Sequence, residues 1–158
     1  CKSFPEGVLV EGNHCKRYKR QLKRAGVTLR VLKDDVQLYG LSDGWSVERQ
    51  YAVIKDNGLD MLLQHGDKSN GVNGAINTAL KKGSSFGQGH THFAAGVAFR
   101  ACHFDLKFAL NTGCLCDDKS LALRYGADAG FKGVLGCGLV YPSNGMINAH
   151  AVFVPMDA

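Results

Sequence analysis

Four of the six histidines stand in short glycine-bounded groups, Gly12-Asn13-His14, His65-Gly66-Asp67 and Gly89-His90-Thr91-His92. Imidazole nitrogen and amide oxygen are good donors to first-row divalent ions, and a His-x-His pair on a loop offers two ligands aimed in different directions. Two directions suit two ions. A pair of ions a few ångström apart can clamp a phosphoryl group and lower the pKa of a bridging water. Neighbouring glycines let the backbone turn sharply and let a phosphate come close. Taken singly, His65 or His90 reads as an ordinary hydrogen-bonded histidine; the ordered set is what points to metal-dependent chemistry.

These groups need strands to deliver them. Residues 7–11 (GVLVE) form a β-branched run feeding the first group, and residues 15–25, free of Gly and Pro and closed by Gly26, predict a helix. Residues 27–32 and 36–39 alternate as half-buried strands do, and residues 47–55 continue a sheet or connect it. The apolar run 61–64 predicts a buried central strand ending at His65, and 84–88 a short strand ending at Gly89, with a helix over 75–82 closed by Gly83 between them. Beyond His92, residues 97–102, 106–111, 131–141 and 146–154 read as strands, with one further helix over 119–125. No repeat, low-complexity run or linker interrupts residues 1–158, so the expectation is one α/β domain. In open α/β sheets, sites assemble outside the carboxyl ends of strands, which would let distant groups converge.

The segments Val8-Leu9-Val10-Glu11-Gly12-Asn13-His14, Leu62-Leu63-Gln64-His65-Gly66-Asp67 and Gly87-Gln88-Gly89-His90-Thr91-His92 together resemble the third, fourth and fifth motifs of the calcineurin-like metallophosphoesterase family, in family order. Asn111-Thr112-Gly113-Cys114 resembles the Asn-x-Gly-Ser segment that follows the last histidine pair in many members. The resemblance implies the second half of a double mixed β-sheet flanked by helices. It implies that Asn13, His65 and His90 bind one divalent ion and His92 the other, the metals being Mn, Fe, Zn or Ni. His14 matches the histidine that steadies the transferring phosphoryl group or protonates the leaving oxygen, work suited to a side chain titrating near neutrality.

Two family motifs are missing. No Asp-x-His triplet exists, and Gly66-Asp67-Lys68-Ser69-Asn70 only imitates Gly-Asp-x-x-Asp, with Asn at its end. Those motifs supply the bridging carboxylate and most ligands of one metal, and without a bridging carboxylate nothing fixes the ion spacing or offsets its charge. The chain by itself is therefore expected to be inactive. Its expected partner is a complementary protein chain carrying the N-terminal half, a processed product or a split gene being the other origins. The expected function is two-metal hydrolysis of a phosphodiester or phosphomonoester; the rivals are a non-catalytic remnant or scaffold subunit, and a nucleic-acid-binding module.

The last rival rests on charge. Six of the nine residues 16–24 are Lys or Arg, against a formal net charge of +5 for the whole chain, and Lys16, Arg17 and Arg20 are the candidate contacts to an anionic substrate or nucleic-acid backbone. A solvated helix face is the plainer reading of the same residues. No apolar run approaches the roughly 20 residues of a membrane span. The six scattered cysteines form no disulfide framework, so a cytoplasmic protein is expected. His103 and His150 match no motif and read as structural, Cys114-Leu115-Cys116 as core or loop thiols, and Trp45, Phe86 and Phe93 as pocket lining or core.

Overall fold

The computed structural model describes residues 4–32, 34–56, 58–103, 105–115, 133–143 and 146–153. The backbone forms two compact units, Cys1–Ala52 and Val53–Ala158.

In the first unit, β1 (Glu6–Val10) pairs in parallel with β2 (Gly44–Glu48), Val8 opposite Ser46. A parallel pair needs a crossover connection. Here it contains α1 (Asn13–Arg24), a 3₁₀ turn over Leu29–Val31 and the one-turn α2 (Asp35–Leu38). Residues 27–32 and 36–39 are thus not strands. The second correction has a visible cause: the Asp34 carboxylate accepts from the Gln37 backbone N–H at 2.8 Å, and Asp-x-x-Gln starts a helix. Trp45 lies over Gly7 and its indole N–H donates to the Phe4 carbonyl at 2.9 Å, so it fills structure rather than an open pocket.

The second unit is built on a mixed five-stranded sheet in the order β3 (Ala52–Asp56), β4 (Leu59–Leu63), β5 (Ser85–Gln88), β7 (Asp105–Thr112), β6 (Ala95–Cys102). β4, β5 and β7 run parallel, and β6 is antiparallel to β7. The 61–64 segment falls on the interior strand β4, as expected, and β5 is the middle strand of the five. Residues 47–55 divide between β2 and β3.

Strand alternation explains what covers this sheet. Met61, Phe108 and Leu110 point to one face with Leu59, and Val140 of β8 (Gly136–Ser143) packs on them. β8 pairs with β9 (Met146–Phe153) as an antiparallel hairpin, and Gly138 lies against Leu110 so closely that a Cβ would collide with it. Phe86 and Ala109 point the other way, onto Ala75, Ile76 and Ala79 of α3 (Gly74–Lys82). Small residues on α3 let helix and sheet approach closely, and Phe86, Phe108 and Met61, fully buried, stabilise the unit by about 1.5–3 kcal/mol each. The helix stops at Gly83, whose φ of 66° suits a residue without Cβ. The α/β class is as expected. The helix expected over 119–125 lies outside the described residues, and no described helix is long and apolar enough to cross a membrane.

Candidate metal centre

Adjacent parallel strands deliver their carboxyl-end loops side by side. In the β4–β5 register Leu63 stands opposite Gly87, and the Gln64 N–H donates to the Gly87 carbonyl at 3.0 Å. Two residues further on, His65 and Gly89 leave the sheet together, and His90 follows. The His65 Nε2 and His90 Nδ1 atoms consequently face each other at 3.0 Å, the rings meeting edge to face with centroids 4.8 Å apart at 70°. Both side chains are half-buried.

That spacing fits a shared ion. Two nitrogens each about 2.1 Å from one cation stand about 3.0 Å apart at the right angles of an octahedral ion and about 3.4 Å apart in the tetrahedral geometry of zinc, which the pair would reach by opening a few tenths of an ångström. Without a cation the same contact is a hydrogen bond, with one ring protonated at the shared position. The donor chemistry, two imidazoles, suits a first-row divalent ion. Among the described residues no group of three or more His, Cys, Asp or Glu side chains gathers to hold a metal ion. His92, half-buried on the same loop, has its N–H on the His90 carbonyl at 3.1 Å, and its carbonyl takes the Val134 N–H at 2.7 Å.

Beneath the pair lies a buried polar layer. Gln88, 2% exposed, donates through Nε2 to the Ser69 carbonyl at 3.1 Å and to Thr91 Oγ1 at 3.3 Å. Thr91 Oγ1 donates to Asn111 Oδ1 at 3.2 Å, and Thr112 Oγ1 to the Gln88 carbonyl at 3.3 Å. The segment Asn111-Thr112-Gly113 therefore braces the histidine loop from the neighbouring strand β7. Gly66 turns the His65 loop with φ 98°, and a Cβ there would stand 2.5 Å from Gln88 Oε1.

Asn13 and His14 belong to the first unit, where they open α1 after Gly12; Asn13 is half-buried and His14 exposed. Just before them Glu11, 3% exposed, accepts from Lys19 Nζ at 2.5 Å and from Tyr39 Oη at 2.9 Å. Lys19 also donates to Asp35 Oδ1 at 2.8 Å, and Arg49 reaches Asp35 Oδ2 at 3.5 Å. Burial pushes the Tyr39 hydroxyl up in pKa, and the Glu11 carboxylate beside it adds to the rise. Lys19 is thus spent inside the unit rather than on an external anion. Arg17 and Arg20 are exposed, Lys16 half-buried with its carbonyl 3.4 Å from Arg20 Nε.

No protein-family model and no curated protein matches the chain. Among solved structures, a single mutant of Vps29 from Entamoeba histolytica is similar at 14% identity, covering 94% of this chain and 82% of that one with a TM-score of 0.45.

Of the residues singled out from the sequence, the second unit brings His65 and His90 into direct contact and places His92 on the same loop. Sequence reasoning passed over Gln88, whose position just before Gly89-His90 on a buried strand was its only signal, and Lys19, hidden among five other cations. Phe86 is core, Phe93 is 44% exposed, Cys114 is buried and His103 exposed. Cys116 and the His150 side chain lie outside the described residues.

Proposed function

We propose that this chain carries the histidine edge of a metallophosphoesterase-type centre, and that hydrolysis of a phosphate ester requires carboxylates supplied from outside these 158 residues, by a partner chain. The observation that carries the reading is the His65–His90 contact at 3.0 Å, formed by motif residues at the ends of adjacent parallel strands. When bound, divalent ions would activate water and offset phosphoryl charge. His65 and His90 would hold one ion and His92 the other; for Asn13 and His14, in the first unit, the family resemblance implies a metal ligand and a histidine that steadies the phosphoryl group or protonates the leaving oxygen. Exposed Arg17 and Arg20 favour a phosphodiester or nucleic-acid substrate by attracting an anionic backbone.

A second reading, a non-catalytic scaffold subunit that keeps the fold, is favoured by the lack of any three-donor group among the described residues. Equilibrium dialysis against Mn²⁺ and Zn²⁺, together with hydrolysis of a chromogenic phosphodiester by the chain with and without co-purifying proteins, separates the two. Metal uptake lost in His90→Ala, with turnover only in the complex, supports the enzyme reading. No metal and no turnover in the fullest complex leaves the scaffold.

A further inference from the structure

Gln88 is an odd occupant for its position. It sits on the central strand, 2% exposed, and its Oε1 atom is buried without a hydrogen-bond partner among the described residues. A Cβ added at Gly66 would stand 2.5 Å from that oxygen. The amide cannot be turned round to give it a partner, because the group facing Ser69 must donate to a carbonyl oxygen. An unpartnered buried oxygen is destabilising, and a methionine would fill the same slot without one. What the amide supplies and an apolar chain cannot is a pair of donors pointing to two different loops: Nε2 holds Ser69, four residues after His65, and Thr91, the residue after His90. Its oxygen meanwhile abuts Gly66, the residue after His65.

We infer that Gln88 is a positioning residue that sets the spacing of the His65 and His90 rings by tying their loops through one amide. Thr91 completes the tie, since its hydroxyl accepts from Gln88 and donates to Asn111 on β7, so the histidine loop is anchored to two strands. The consequence for metal affinity rests on the reading that this pair holds a divalent ion; the consequence for ring geometry does not. Groups that orient metal-binding histidines without touching the ion typically govern affinity by about 10- to 100-fold.

The test uses the full chain as wild type, Gln88→Met, Thr91→Val and His65→Ala. Imidazole ¹⁵N spectra of the metal-free protein report the His65–His90 hydrogen bond, and Zn²⁺ titration reports affinity. Gln88→Met should erase the hydrogen-bond signature and weaken Zn²⁺ about 10- to 100-fold while the folded fraction stays high by circular dichroism. Thr91→Val, nearly the same shape, should do so more mildly and carries the test if Gln88→Met does not fold. Unchanged ring signals and affinity within twofold in the folded variant overturn the inference. Zn²⁺ binding identical in wild type and His65→Ala, with the ring signature still lost in Gln88→Met, would sink the metal reading and leave the role of Gln88 standing.

Discussion

At the scale of single residues, the candidate centre depends on two atoms facing each other and on the small residue that makes room below them. Gly66 has both a left-handed φ of 98° and Gln88 Oε1 2.5 Å from where a Cβ would be. Gly66→Ala should therefore cost about 1–3 kcal/mol from backbone conformation, with more from displacing the amide. Urea unfolding checks this, and a change within 0.5 kcal/mol of zero, roughly the span of neutral surface substitutions, would show that the loop relaxes freely. The histidines themselves were legible as motif members before any geometry. Gln88 was not, because burial and an orphaned oxygen are properties of packing that a lone polar residue in a short apolar strand does not announce.

Among elements, α1 is held to the residue that follows β1 and to α2 by the Glu11–Lys19–Asp35 bridge, with Tyr39 on the Glu11 carboxylate. Lys19→Met removes the cation and leaves the buried Glu11 carboxylate with the tyrosine alone, an expected loss of about 1.5–3 kcal/mol measurable by chemical denaturation. Wild-type stability should also carry the bridge's pH signature. The hydrogen bond from Lys19 lowers the Asp35 pKa below its usual 3.8, partly opposed by burial, so this contribution is present above that value and is lost as pH falls through the depressed one. Burial lowers the Lys19 pKa, yet hydrogen bonds and charge from Asp35 and Glu11 outweigh it and raise the group above 10.5; its contribution is complete below that pH and is lost as pH rises through the raised value. Stability curves of Lys19→Met should be flatter at both extremes, and curves parallel to wild type would remove the bridge from the account. The same region shows where reading the sequence stopped short. Alternation over 27–32 and 36–39 is too brief to separate a strand from a turn of helix, and the decisive signal was Asp34 capping Gln37. The longer elements α1, α3 and β7 carry enough periodicity and closing glycines to be read within two residues of their observed ends, and the short β5, which Gly89 closes, is read as closely.

For the molecule as a whole, each unit has its own basis of stability. The second unit is a layered body in which one sheet buries α3 on one face and the β8–β9 hairpin on the other, with Leu110 beneath Gly138 at the hairpin side. Leu110→Ala opens a cavity in that layer and should cost about 2–5 kcal/mol. Thermal unfolding reads it, and an unchanged midpoint would mean that the hairpin does not seat on the sheet. The layering could be anticipated as an α/β class from strands alternating with helices, but not the sheet order, since nothing local tells β7 to enter between β5 and β6. It is this order, with β4, β5 and β7 parallel, that places the two histidine loops and the bracing Asn111 at one end of the sheet. The most direct measurement is isothermal titration of the full chain with Zn²⁺, comparing wild type with His65→Ala, His90→Ala and the double variant. A saturable site, weakened at least about tenfold by either single change and no further by the second, is the predicted result. Equal binding in all four proteins would contradict it.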